Sequence, residues 1–361
     1  MHKPMWIIAL AALAIAGAPP AHAGYLDENP DDVFADVYGR LGVDLPAGVA
    51  RDPVVWRYLD ELRREPCDQT SVNNLALVLE KVGHRREAAE GLYNFVRKCG
   101  APNSALHRSV DILLKLTDYP KAVEVADEFI RRAPDNHDAH YLRGVALEGA
   151  GDFRRALADY ADAIELFGSD RKKISSRVFL RMAAAYAALG QFCEAATPIL
   201  TWVAFDPAAR DTSQTRKIVA DYEQRGNCVQ STQFHKERYP LRGARDVVTA
   251  KADINGVRGV FVIDTGASHA AVSPKFASRA KVAYADANDI TLRTANGLVK
   301  GKLSTADKVA LGTLEATHVP VVVQQLDLGR GIDGLLGMSF LSRFDVRMAG
   351  GYMEIRTRGQ K

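Results

Sequence analysis

The sequence predicts a chain of two unlike parts: an all-α array of helical repeats followed by a small all-β, barrel-like domain. Three observations predict it. A 34-residue period runs from residue 67 to about 230, with Gly83, Thr117 and Gly151 in one frame and Ala88, Ala122 and Ala156 in another. That helical pattern stops after Tyr239-Pro240, and from Asp246 short β-rich runs punctuated by glycine replace it. Two asparagine–glycine pairs, Asn255-Gly256 and Asn296-Gly297, then mark hairpin turns in the second part.

The beginning of the chain reads as an address. Lys3 is the single charge before an apolar run from Trp6 to Ala18, and Ala21-His22-Ala23 supplies a small-x-small cleavage pattern. The run is shorter than the ~20 residues that span a bilayer, no cysteine follows the cleavage site, and there is no twin arginine. Residues 1–23 are therefore expected to be a signal peptide, with no membrane span after its cleavage. The chain would be exported, to the periplasm if the source is Gram-negative and otherwise secreted. Hydrophobic residues make up 47% and charged ones 25%, which excludes a wholly disordered chain. A net charge of +3 is too close to balance for a nucleic-acid partner or an anionic membrane surface.

Residues 24–66 precede the repeats as a helical segment or an arm, with 54–62 reading as helix. From 67 to 230 the units follow one another. Leu92, Ala126 and Tyr160 keep the frame, and a fourth copy follows an insertion near 169–174, with Gly190, Ala195 and Ile199. The sharpest copy, 137–168, carries Gly144, Gly151, Ala156, Tyr160 and Ala163 in register. A small residue after the first helix and an alanine early in the second resemble the tetratricopeptide-repeat frame, whose units bury their apolar faces by stacking. Such arrays usually present a concave face to a peptide or protein partner, though an array can also serve only as a spacer. His137 and His140 lie on one helix turn, but no carboxylate or third ligand stands at a matching spacing, and no metal is inferred.

Four cysteines in an exported chain imply two disulfides, and sequence alone allows three pairings. The repeat frame chooses among them. Cys67 precedes the first helix of its unit and Cys99 ends the second, so an antiparallel hairpin brings them to one end. Cys193 begins a second helix and Cys228 ends the next one, which pairs Cys193 with Cys228. Each bridge would contribute about 3–4 kcal/mol by constraining the unfolded chain.

After a linker over 231–245 comes the β domain, 246–361. Residues 247–254 alternate, Asn255-Gly256 turns the chain, and 257–263 returns as a strand ending on Asp264-Thr265-Gly266-Ala267-Ser268. Residues 290–294 and 298–303 flank Asn296-Gly297. Leu335-Leu336-Gly337 follows some seventy residues after the aspartate, with terminal strands near 344–347 and 352–356.

These elements resemble the retropepsin-like branch of the aspartic proteases. An apolar strand delivers Asp-Thr-Gly-Ala, Leu335-Leu336-Gly337 matches the family's apolar-apolar-glycine element packed against that loop, and Asn296-Gly297 falls where the family carries its flap. The resemblance covers about a third of the chain. It implies that Asp264 is the catalytic acid and base, that Thr265 braces the paired loops, and that Gly266 lets the chain pass under the carboxylates. It also places Ala267, Ser268, His269, Asn296 and Gly297 against substrate and makes Leu335, Leu336 and Gly337 the support of the site. No metal or other cofactor is implied. Ala267 stands where pepsin-type enzymes often carry a hydroxyl that bonds the carboxylate, so a less acidic pH optimum than pepsin's is expected.

One carboxylate cannot efficiently both activate water and protonate a peptide nitrogen, whereas two sharing a proton can. The chain has one Asp-Thr-Gly. Asp333-Gly334 lacks that loop and reads as a turn aspartate. An active site thus requires Asp264 of a second copy, which makes the expected enzyme a homodimer. The terminal strand 352–356 is expected to be free for that pairing, while the helical array stands in the way on the amino-terminal side. The resulting reading is an exported aspartic endopeptidase whose repeats recruit a protein or peptide substrate. The alternative is a periplasmic scaffold whose protease-like domain does not cleave.

Overall fold

The computed structural model describes residues 28–100, 102–168, 170–228, 235–241, 247–294 and 297–358. The expected signal peptide, parts of the expected linker and Asn296 lie outside the described residues. No helix among the described residues is long and apolar enough to cross a membrane. The chain divides into two compact units, one ending at Ala101 and the other beginning at Pro102.

The first unit holds α1 (Pro30–Leu41), α2 (Ala47–Ala50), α3 (Pro53–Arg64), α4 (Gln69–Lys81) and α5 (Arg85–Cys99). Polar side chains start the longer ones: Asp52 accepts the Val54 and Val55 amides and Asp68 those of Thr70 and Ser71. Residues 30–64 are thus largely helical, with Phe34, Val37, Leu59 and Leu62 buried. Cys67 and Cys99 close the α4–α5 hairpin in a disulfide with a Cα–Cα distance of 5.5 Å.

The second unit continues the repeats with α6 (Ser104–Lys115), α7 (Tyr119–Arg132), α8 (His137–Gly149), α9 (Phe153–Leu166), a 3₁₀ turn at Arg171–Lys173, α10 (Ser176–Ala188), α11 (Phe192–Phe205), α12 (Pro207–Arg210) and α13 (Ser213–Gly226). Asp118, Asn136 and Asp152 cap α7, α8 and α9. Gly144 has a packing reason: a Cβ there would stand 2.7 Å from the ring of Tyr160, a fully buried side chain. Cys193 on α11 and Cys228 after α13 form the second disulfide.

The β domain follows with β1 (Lys236–Pro240), β2 (Thr249–Ile254), β3 (Val257–Ile263), β4 (Ala270–Val272), α14 (Pro274–Arg279), β5 (Asp289–Thr294), β6 (Gly297–Leu311), β7 (Leu314–Val323), β8 (Gly334–Leu336), α15 (Met338–Leu341), β9 (Phe344–Ala349) and β10 (Tyr352–Thr357). Its main sheet has seven strands in the order β2-β3-β8-β4-β7-β6-β5. It closes into a barrel because the far end of β6 also pairs with β2, Val309 opposite Ile254. At the β2–β3 turn both Asn255 (φ 50°) and Gly256 (φ 80°) take the left-handed conformation a two-residue hairpin needs.

Two expectations are corrected here. The stretch read as linker contains β1, which pairs antiparallel with β10. Strand β10 is also bonded to β9, so it is the middle strand of its sheet and has no open edge for a partner. The Lys-Glu-Arg-Tyr-Pro sequence of β1 hides it, since it is charged, short and without apolar alternation.

Array and barrel share one core in the second unit. Leu157, Ala161 and Ile164 of α9 belong to the same buried cluster as Ala271, Ile290, Leu292 and Val322 of the sheet. Arg343 adds a polar tie, donating to the Thr197 hydroxyl on α11 at 2.7 Å and to the Thr317 and His318 carbonyls at 2.7 and 2.9 Å. Burial pushes its guanidinium down to about 10.

Candidate active site

Strand β3 runs through buried Phe261 and Ile263 and delivers Asp264 at its end. Strand β8 lies beside it in parallel, with Val262 opposite Leu335 and Ile263 opposite Leu336, and it pairs antiparallel with β4 on its other side. The loop from 264 to 269 is therefore held by β8 and the residues after it. Asp264 donates its amide to the Leu336 carbonyl at 3.0 Å, Met338 donates to the Ala267 carbonyl at 2.8 Å, and Ser339 to the Ser268 carbonyl at 2.9 Å. The buried hydroxyl of Ser339 accepts the Ala270 amide at 2.8 Å.

Gly337 makes this approach possible. A Cβ there would lie 2.2 Å from the His269 carbonyl oxygen and 2.8 Å from that of Ala267. Gly266 has a different use: its amide donates to Asp264 Oδ1 at 2.8 Å and folds the loop back under the carboxylate. Asp264 is half-buried, whereas Thr265 and Gly266 are exposed. The result is a carboxylate on a braced loop whose tip faces solvent.

The structure brings Asp264, Thr265, Gly266 and Ala267 together with Leu335, Leu336 and Gly337. Gly297 stands at the start of β6 in the hairpin with β5, where its carbonyl accepts the Thr294 hydroxyl at 2.9 Å. Ser268 and His269 turn toward the helical array. Ser268 is 6% exposed and its hydroxyl accepts from the Arg171 guanidinium, while His269 Nδ1 stands 3.7 Å from Glu165 Oε1 of α9. A cavity of about 30 Å³ at this joint is lined by Phe179, Met182, Ser268, His269 and Ser339, among others. Burial opposes the charge of Glu165, but His269, Arg171 and Ser268 together hold its carboxyl below the ordinary value.

Asp333 is a clamp. Its carboxylate accepts the Val260 amide at 3.0 Å and the Arg279 guanidinium at 2.9 Å, which pins β3 and α14 to the start of β8. A second polar cluster lies in the array, where α9 supplies the carboxylates that the sequence showed at no suitable spacing. Ligand atoms of His140, Asp159 and Asp162 lie within 4.8 Å of one another. Arg143 already grips both oxygens of Asp159, at 2.6 and 2.8 Å. His140 Nε2 is 3.0 Å from the Pro134 carbonyl and Nδ1 is 3.2 Å from Asp162. The cluster pairs two cationic side chains with two carboxylates, an internal ionic network rather than an open metal site. Sequence reasoning missed Glu165, Arg171 and Asp162, for which no local motif gives a signal.

Comparison with known proteins agrees with this architecture. Residues 250–340 match the aspartyl protease family model and residues 108–171 a tetratricopeptide repeat model. The second part of the chain is thus similar to the aspartyl proteases, and part of the helical array to tetratricopeptide repeats. Similar solved structures include a retropepsin-like aspartic protease from Rickettsia conorii, at 25% identity, covering 35% of this chain and 94% of that one with a TM-score of 0.28. MamA from Desulfovibrio magneticus is similar at 15% identity, covering 51% of this chain and 99% of that one, TM-score 0.37. A thermophilic tetratricopeptide-repeat protein of Thermus thermophilus is similar at 18% identity, covering 54% of this chain and 98% of that one, TM-score 0.34. No curated protein matches the chain.

Proposed function

We propose that this chain is an exported aspartic endopeptidase that hydrolyses peptide bonds with a dyad formed by Asp264 of two copies. The observation that carries the reading is the Asp264 loop itself. Its flanks are fixed by β8, Gly337 and Ser339, while the carboxylate is half-buried on its own loop and the two residues after it are exposed. A merely structural aspartate at a strand end would be satisfied internally, as Asp333 is. Two such loops meeting on a two-fold axis place two carboxylates close enough to share one proton. One carboxylate then takes a proton from the attacking water while the other gives one to the leaving nitrogen. Because β10 is closed on both sides, the copies meet through the loop tips. The repeats recruit the protein substrate, and the two disulfides suit an oxidising compartment.

Cleavage of a mixed peptide library from acid to neutral pH, beside sedimentation analysis of the same samples, tests the reading. Activity per chain that rises with protein concentration as dimer forms is the expected result. A protein that stays monomeric at high concentration and cleaves nothing overturns it in favour of a scaffold.

A further inference from the structure

Helix α9 of the repeats touches the barrel at two places that matter for catalysis. Near its end, Asp162 and Glu165 stand three residues apart and so share one face of the helix. Both are buried, at 4% and 2% exposure. Asp162 accepts the backbone amide of Thr291 on β5, the first strand of the hairpin that turns at Gly297. Earlier in the helix, the Arg154 carbonyl accepts from Asn288, just before the same strand, at 2.8 Å. Glu165, one turn further on, has its Oε1 beside His269 and its Oε2 3.5 Å from Arg171, whose guanidinium donates to Ser268. Ser268 and His269 directly follow the Asp264 loop tip.

We propose that α9 positions the active site, with Asp162 holding the β5–β6 hairpin and Glu165 with Arg171 holding the segment after Asp264. This rests on the aspartic protease reading above. Asp162 and Glu165 are buried and charged, and they keep one geometry because any shift leaves a buried charge unpaired. A single rigid helix thereby sets the spacing between the hairpin and the catalytic loop. Glu165, Arg171 and Asp162 touch no substrate. They act through Ser268, His269 and Thr291, and so are positioning residues. The repeats become part of the catalytic apparatus rather than a detachable recruiting arm.

The test compares the full chain with Arg171→Met, Arg171→Lys, Glu165→Gln and Asp162→Ala, reading amide hydrogen exchange by segment and cleavage kinetics in parallel. Arg171→Met is expected to speed exchange in residues 266–272 about tenfold while the array and β5 keep their protection. Its kcat falls about tenfold with KM within about twofold, since the loss is one of alignment. Arg171→Lys restores part of both, which a role in folding alone would not produce. Asp162→Ala speeds exchange in β5 and leaves the loop as it was. Glu165→Gln, which keeps the side chain's size, gives the loop comparison if Arg171→Met does not fold. Exchange in residues 266–272 unchanged in both loop variants overturns the proposal. Faster loop exchange in these variants, when the parent chain itself cleaves nothing, upholds the anchoring by α9 and sinks the protease reading instead.

Discussion

The amide of Gly266 donates to Asp264 Oδ1 at 2.8 Å, so the carboxylate folds its own loop. Asparagine at 264 can accept the same bond while losing the charge and the proton-transfer capacity. Asp264→Asn is therefore expected to keep the fold, with stability changed by less than about 1 kcal/mol. Its cleavage rate falls at least about a thousandfold, the scale of lost general acid–base catalysis. Thermal unfolding and peptide cleavage measured on the same preparation check both halves.

Gly337 and Gly266 predict opposite consequences for one methyl group. At Gly337 the added carbon meets the His269 and Ala267 carbonyl oxygens at 2.2 and 2.8 Å, backbone atoms that cannot swing aside. Gly337→Ala should cost about 3 kcal/mol and disorder the loop. At Gly266 the nearest atom is Asp264 Oδ1 at 3.1 Å, a side chain that can turn. Gly266→Ala should cost less than about 1 kcal/mol yet reduce activity, because the carboxylate leaves its position. Denaturant titration of the two variants distinguishes them.

How far the sequence speaks depends on whether a feature is local. The repeat period was legible because the end of each first helix needs a left-handed residue: Gly83 at φ 93°, Gly151 at 83° and Gly190 at 74°. Thr117 takes the same conformation at 57° in spite of its Cβ, which is why the frame shows through a degenerate copy. Leu335-Leu336-Gly337 was legible as a partner of the Asp264 loop because the parallel β3–β8 register needs apolar residues and then a close approach. Arg171 and Ser268 are 97 positions apart, and neither belongs to a motif. Their meeting depends on how the array packs on the barrel. The same holds for β1, whose partner β10 lies at the other end of the domain.

His140 makes stability depend on pH. Burial works against its charged form, but Asp159, Asp162 and the Pro134 carbonyl outweigh it and raise the imidazole to about 9 from an ordinary 6.5. Because the folded value lies above the unfolded one, the contribution is fully present below pH 6.5 and is lost as pH rises through about 9. That amounts to ~3 kcal/mol at most. His140→Gln should flatten the stability profile between pH 6 and 10, which chemical denaturation at stepped pH measures.

The Cys193–Cys228 bridge carries a helix that cannot hold itself. Helix α13 buries Val219, with Ile218 and Tyr222 half-buried beside it, against a small cluster that includes Ala196, Ile199 and Leu200. The apolar burial of these three side chains is worth about 2–5 kcal/mol, less than the cost of ordering a helix of this length. A bridge across 35 positions restricts the unfolded chain by about 4 kcal/mol. It also ties the end of α13 to the start of α11, so the helix has little freedom to peel away. Replacing both cysteines by serine is expected to open residues 213–226 to proteolysis while the barrel, which contains no cysteine, keeps its protection. Limited proteolysis followed by mass analysis reads this directly. Intact α13 in the double variant would mean that packing on α11 holds the helix without the bridge.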